Sequence, residues 1–151
     1  MTRLLALPLL LLAAHPLAAR DSLGVYESWA AFRDPAPLRC YAIAKAQNSA
    51  SAYATVSTWP GRKVRGAVYF ALSREVADKG KVRLAAGAAR FDLVAKGRNA
   101  WAKDARDDAA IVAALRSAGG MSVSGGGFTD RYTLAGAATA MDAATVGCAK
   151  R

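Results

Sequence analysis

Two cysteines, one histidine and a scatter of charged side chains hold the reactive chemistry open to this chain of 151 residues. Cys40 and Cys148 lie far apart and form no Cys-x-x-Cys pair, which removes thioredoxin-type exchange and ordinary structural zinc. The one histidine, His15, sits in an N-terminal apolar segment. Once that segment is cleaved, no imidazole remains for a Ser-His-Asp or Cys-His relay, or for a zinc or copper site. Carboxylates survive this elimination. Glu27, Asp34, Glu75, Asp78, Asp92, Asp104, Asp107, Asp108, Asp130 and Asp142 supply candidate acids and bases for hydrolysis or elimination. Most of them neighbour Arg, Lys or Gly in turn-like stretches and read as solvated surface charge. The tightest group, Asp104, Asp107 and Asp108, precedes an Ala-rich helical stretch, where acids meet the positive end of the helix dipole. No metal or cofactor constellation emerges.

Two glycine patterns imitate phosphate loops. Gly61 to Gly66 has the spacing of a P-loop glycine pair, but Ala67 and Val68 stand where Lys and Ser or Thr are required. Gly125-Gly126-Gly127 leads into Phe128 rather than a helix, so no helix N-terminus is there to hold a phosphate. Both are read as turns.

The N-terminus reads as an address. Arg3 precedes an apolar run from Leu4 to Ala14, then His15-Pro16 and the small pair Ala18-Ala19. This is the order of a secretory signal peptide, cleaved after Ala19, and the run falls short of the roughly 20 apolar residues of a membrane span. Cleavage removes one of the 21 basic residues, so a domain of residues 20–151 keeps a net charge of about +9. In an oxidising compartment Cys40 and Cys148 read as a disulfide. Closing so long a loop removes about 4–5 kcal/mol of unfolded-chain entropy as an upper figure.

The elements that must position these residues follow from periodicity. Strands are expected over Leu23–Phe32, Leu38–Ala44, Tyr53–Thr58, Val64–Leu72, Met121–Ser124 and Phe128–Leu134, with a hairpin of Lys81–Ala85 and Ala89–Val94. Alternation puts Leu38, Cys40, Ala42 and Ala44 on one side and Arg39, Tyr41 and Ile43 on the other. Trp59 before Pro60-Gly61 anchors a turn, Ser73–Gly80 reads as a polar link, and Lys96-Gly97-Arg98-Asn99 as another turn. One helix spans Asp104–Ala118, stopped by Gly119-Gly120, and a second, Ala-rich one spans Gly136–Val146. The expected fold is mainly β, an antiparallel β-sandwich or barrel-like domain with one or two helices.

Basic residues crowd the middle of the chain. Arg62, Lys63, Arg65, Lys81, Arg83, Arg90, Lys96 and Arg98 are the candidate anion-binding residues. No reading helix or aromatic-rich basic stripe accompanies them, which argues against nucleic acid. Export directs the charge instead toward anionic lipid headgroups, lipopolysaccharide, wall polymers or acidic exported proteins, with peripheral membrane association included.

Trp29-Ala30-Ala31-Phe32, Arg39-Cys40-Tyr41-Ala42-Ile43, the acid-led helix ending at Gly119-Gly120-Met121, and Tyr132-Thr133-Leu134-Ala135-Gly136 leading into a helix with a final cysteine occur in this order. In this the chain resembles the invasion-associated locus B family of small exported bacterial proteins, although members with more cysteines than this pair are part of that family. The resemblance implies a periplasmic or outer-membrane-associated β-rich protein without known catalysis, and it transfers no catalytic residue. Three functions are therefore expected in order: a non-enzymatic envelope protein binding an anionic component or partner protein through a basic surface; a carboxylate-dependent hydrolase or lyase on cell-wall or surface polysaccharide; and an inhibitor or accessory that pairs with another exported protein through an exposed strand edge.

Overall fold

The computed structural model describes residues 19–149; the expected signal peptide, but for Ala19, lies outside the described residues. The chain forms β1 (Asp21–Tyr26), β2 (Trp29–Pro35), β3 (Leu38–Lys45), β4 (Tyr53–Trp59), a 3-10 turn (Pro60–Arg62), β5 (Val64–Val76), β6 (Val82–Ala86), β7 (Ala89–Trp101), α1 (Ala105–Ser117), β8 (Gly120–Gly125), β9 (Phe128–Thr133) and α2 (Ala137–Ala149). The nine strands make one antiparallel sheet in the order β1-β2-β3-β4-β5-β7-β6-β8-β9, which is not closed into a barrel.

β7 joins the two halves of this sheet. Its C-terminal end pairs with β5 (Tyr69↔Trp101, Phe70↔Ala100, Ala71↔Asn99), while its N-terminal end pairs with β6 (Val82↔Leu93 to Ala86↔Ala89). At the handover the β5 register jumps from Ala71↔Asn99 to Val76↔Gly97, so Leu72–Glu75 face Arg98 alone. A bulge of this size strands backbone groups and bends the sheet. Arg98 repairs it from outside, its Nε donating to the Leu72 carbonyl at 3.1 Å and its Nη2 to the Ser73 carbonyl at 2.8 Å. From β9, the buried Asp130 carboxylate accepts the Ser73 N–H at 2.9 Å.

Because of the bend, both halves contribute one face to a common core. Trp29, Ala31, Cys40, Ala42, Ala44, Ala54, Val56, Val68 and Phe70 come from the first half, and Val82, Leu84, Met121, Val123 and Tyr132 from the second. α1 packs on β5 through Ile111 and Leu115, one helical turn apart. It starts at Asp104, whose side chain accepts the Asp107 N–H at 2.8 Å. α2 lies across β1–β4, with Ala137, Ala140, Met141, Ala144 and Gly147 buried. Small residues on both surfaces let it sit close, and a Cβ on Gly147 would come within 2.5 Å of Leu23. The disulfide between Cys40 on β3 and Cys148 on α2 spans 5.7 Å between Cα atoms and fastens the helix to the sheet.

The far edge of the sheet is covered. Asn48, in the β3–β4 loop, donates to the Thr129 carbonyl and accepts the Arg131 N–H, and the Gln47 N–H meets the Arg131 carbonyl. The Trp29 indole N–H then reaches the Thr133 carbonyl at 3.0 Å. β9 therefore meets the first half of the sheet through side chains and loop backbone, without a strand ladder.

Several expectations need correction. Leu23–Phe32 is a hairpin rather than one strand, because the chain turns at Glu27-Ser28 with Glu27 at φ 52, a turn without the Gly or Asn that marks such positions. The polar link Ser73–Gly80 is strand as far as Val76. Lys96–Asn99 is no turn but part of β7: its Gly97 takes φ 58 opposite the bulge, and the alternation slips there so that Arg98 and Asn99 are both exposed.

Two outcomes test this packing. Reduction should add two hydrogens to the mass of the purified chain, and Cys148→Ser should lower stability to urea by up to about 4–5 kcal/mol. Gly136 stands at φ +86, and an added Cβ would lie 1.8 Å from the Tyr26 carbonyl oxygen. Gly136→Ala should therefore destabilise by at least about 1–3 kcal/mol in the same measurement.

Candidate functional site

The eight candidate cations separate into two groups. Arg83 on β6 and Arg90, Lys96 and Arg98 on β7 lie on the solvent-facing side of the second half, with Lys81 immediately before β6 on the same side by alternation. Arg62, Lys63 and Arg65 occupy the 3-10 turn and the start of β5, where Lys63 and Arg65 line a different surface, a cleft beside the helices.

On the β6–β7 face the register arranges the charges in rows. Arg131, Ser122, Ala85 and Arg90 lie side by side across β9, β8, β6 and β7, and Thr129, Ser124, Arg83 and Asp92 form the next row. Three strand spacings separate Arg131 from Arg90, about 14 Å. Arg83 meets Asp92 at 3.2 Å, but the side chains are 63% and 81% exposed, so water screens the pair heavily. Arg90 donates to the carbonyls of Gly87 and Ala89, each at 2.8 Å, which fixes its guanidinium without neutralising it. Arg98 is likewise committed to carbonyls and to Ser51, and keeps its charge. Arg131 was absent from the sequence candidates; the alternation in Phe128–Leu134 was the signal that places it outside.

The helix-free face of the first half is aromatic. Across β2–β5 and the end of β7, alternation turns Phe32, Tyr41, Tyr53, Tyr69 and Trp101 away from the core. Arg39 lies over Tyr41 at 4.1 Å and over Trp59 at 4.9 Å, and its Nε and Nη2 donate to the Ser57 hydroxyl. Arg20 lies over Phe32 and Tyr41 at 5.6 and 5.5 Å and pairs with Asp34 at 2.9 Å. Tyr41, held between two guanidiniums, is only 2% exposed although it faces away from the helices. Burial pushes its hydroxyl up, Asp34 adds to the rise, and the two arginines pull the other way. Tyr69 donates to Asn99 at 2.6 Å, and its own hydroxyl is raised by burial and by Tyr53. Trp101 remains 37% exposed beside it. The aromatic and basic surfaces adjoin along β7.

The carboxylates are largely occupied. Asp21, Asp34, Asp92, Asp107 and Asp142 are in ion pairs, with Arg33, Arg20, Arg83, Lys103 and Arg116. Asp104 caps α1, Asp130 holds the bulge, and Asp108 accepts the Val68 N–H at 2.8 Å just before the pairing of β5 with β7 begins at Tyr69. The reading of most sequence candidates as solvated charge fails for Asp130, which is 1% exposed. No group of three or more His, Cys, Asp or Glu placed to hold a metal occurs among the described residues. Among the same residues no helix is long and apolar enough to cross a membrane. Comparison of the chain with protein-family models, with curated proteins and with solved structures found no match.

Asp108 offers a pH test of this edge. Burial pushes its carboxyl up, the Val68 bond pulls it down, and Asp104 and Asp107 raise it further. A carboxyl raised on folding binds protons more readily in the folded chain than in the unfolded one. Its contribution is therefore full below the ordinary carboxylate range and is lost as pH rises through the raised value. Asp108→Asn keeps an acceptor, so wild-type stability should fall relative to this variant as pH climbs through that range. Asp108→Leu removes the acceptor and should cost about 1–3 kcal/mol at neutral pH in urea denaturation.

Proposed function

We propose that this is an exported, non-enzymatic envelope protein that holds an anionic envelope polymer against its helix-free face. The observation that carries the reading is the register, which sets Arg83, Arg90 and Arg131 on one side of β6–β9 with Asp92 paired to Arg83, while alternation and exposure add Lys81, Lys96 and Arg98 to the same surface. Such a surface attracts polyanions over distances set by the ionic strength. Its shape favours an extended ligand, because the charges are spread over a broad face rather than gathered in a pocket. The adjoining rings of Tyr53, Tyr69 and Trp101 offer flat apolar patches with polar tips, suited to the faces of sugar rings in a phosphate- or carboxylate-bearing glycan. The N-terminal signal pattern and the resemblance to the invasion-associated locus B family support a ligand in the periplasm or at the outer membrane.

A carboxylate-dependent hydrolase has weaker support, since Asp104, Asp108 and Asp130 are spent on backbone N–H groups and five other carboxylates on ion pairs. The strand-edge accessory reading loses the β9 edge, which Asn48 and Gln47 occupy.

Sedimentation of the chain with purified envelope polysaccharide tests the proposal. Arg83→Glu, Arg90→Glu and Arg131→Glu combined should weaken association about tenfold or more, and raising salt several-fold should release the wild type. Association that survives both changes overturns it, and a single protein that copurifies with the chain from envelope extracts through high salt would favour the accessory reading.

A further inference from the structure

On the other side of the sheet, α1, α2 and the β4–β5 corner enclose a cleft of about 700 Å³, within the size range of small-molecule sites. Val56, Met141 and Ala144 form a floor that is almost wholly buried, and the half-buried Val64 and Val112 supply the apolar walls above it. The rim is different in kind: Lys63, Arg65 and Arg116 stand there, and the described lining contains no carboxylate. Arg116 is already held by Asp142 at 2.7 Å, which leaves Lys63 and Arg65 as the uncommitted charges. No described carboxylate lies within ion-pair distance of either.

Lys63 is also held in an unusual conformation. Its φ of 55 is left-handed, where side chains other than Gly, Asn and Asp are uncommon, and its N–H is tied to the Pro60 carbonyl at 3.1 Å. A glycine would meet the demand of this turn at lower cost. An apolar slot with a cationic lip matches a ligand with an alkyl body and an anionic end. It does not match the hydrophilic polymer proposed for the opposite face.

We propose that this cleft binds one single-chain carboxylate amphiphile, a fatty acid, with its head between Lys63 and Arg65 and its chain along Val64 and Val112. The site is separate from the helix-free face and does not depend on the polymer reading. Calorimetric titration of the disulfide-bonded chain with dodecanoate, and with dodecyltrimethylammonium as the cationic counterpart, tests it. Dodecanoate should bind once per chain and the ammonium compound at least about tenfold more weakly. Lys63→Gly with Arg65→Gln removes both cations while easing the turn, and should weaken dodecanoate about tenfold or more with no loss of thermal stability. Thr145→Phe, at an exposed lining position, should block the cleft and abolish the binding. The triple variant of Arg83, Arg90 and Arg131 should bind dodecanoate as the wild type does. Absence of dodecanoate binding, equal affinity for both head groups, or binding that survives either cleft variant overturns the proposal.

Discussion

The bulge at Leu72–Glu75 is the point on which the architecture turns. A long antiparallel sheet of uniform register would expose one apolar face to water, and bending it requires the ladder to be broken somewhere. Breaking it leaves carbonyls and an N–H that cannot be buried unpaired without a cost of about 1–3 kcal/mol each. Arg98 and Asp130 answer that demand from opposite sides, one from the outer surface of β7 and one from the interior of β9. With these groups satisfied, the second half folds back over the first, and Leu84, Val123 and Tyr132 join the core begun by Phe70 and Trp29. The basic and aromatic outer faces meet along β7 for the same reason.

The two sides of the first half divide their residue volumes in a way that explains the external aromatics. Ala31, Ala42, Ala44 and Ala54 line the side on which α2 lies, and α2 presents Ala137, Ala140 and Ala144 in return. Close approach of helix to sheet leaves little room for rings between them. The rings stand on the reverse side instead, where arginines stack over them and shield much of their surface. Tyr41 shows the result, a residue buried by cations rather than by a hydrophobic core.

Much of this was legible in local pattern. Alternation in Leu38–Ala44 grouped Cys40 with Leu38, Ala42 and Ala44 on one side of the strand, and the acid-led, glycine-stopped stretch fixed α1, because both signals are short-range. The Cys40–Cys148 bond was read from the cysteine count and the expectation of export. Other features depend on residues distant in the chain. Lys96–Asn99 carries turn residues, and only the pairing of β7 with two different strands makes it strand. Asp130 looked like surface charge because its partner, Ser73, lies 57 residues away. The eight cations were read as one group from their crowding in sequence, whereas the fold sends Lys63 and Arg65 to the cleft and Lys81, Arg83, Arg90, Lys96 and Arg98 to the opposite surface.

The coverage of β9 has a kinetic side. The contact of Trp29 with Thr133 spans 104 residues, and that of Asn48 with Arg131 spans 83. Loop-closure entropy delays such contacts, and folds dominated by them are slow relative to helical domains of similar size. Until Asn48 and Gln47 reach it, β9 presents free N–H and carbonyl groups that another unfinished chain can pair with. The strand that Asn48 and Gln47 cover in the native sheet is therefore open to intermolecular pairing while the chain folds, and Asn48 acts as its guard only once the rest of the sheet is in place.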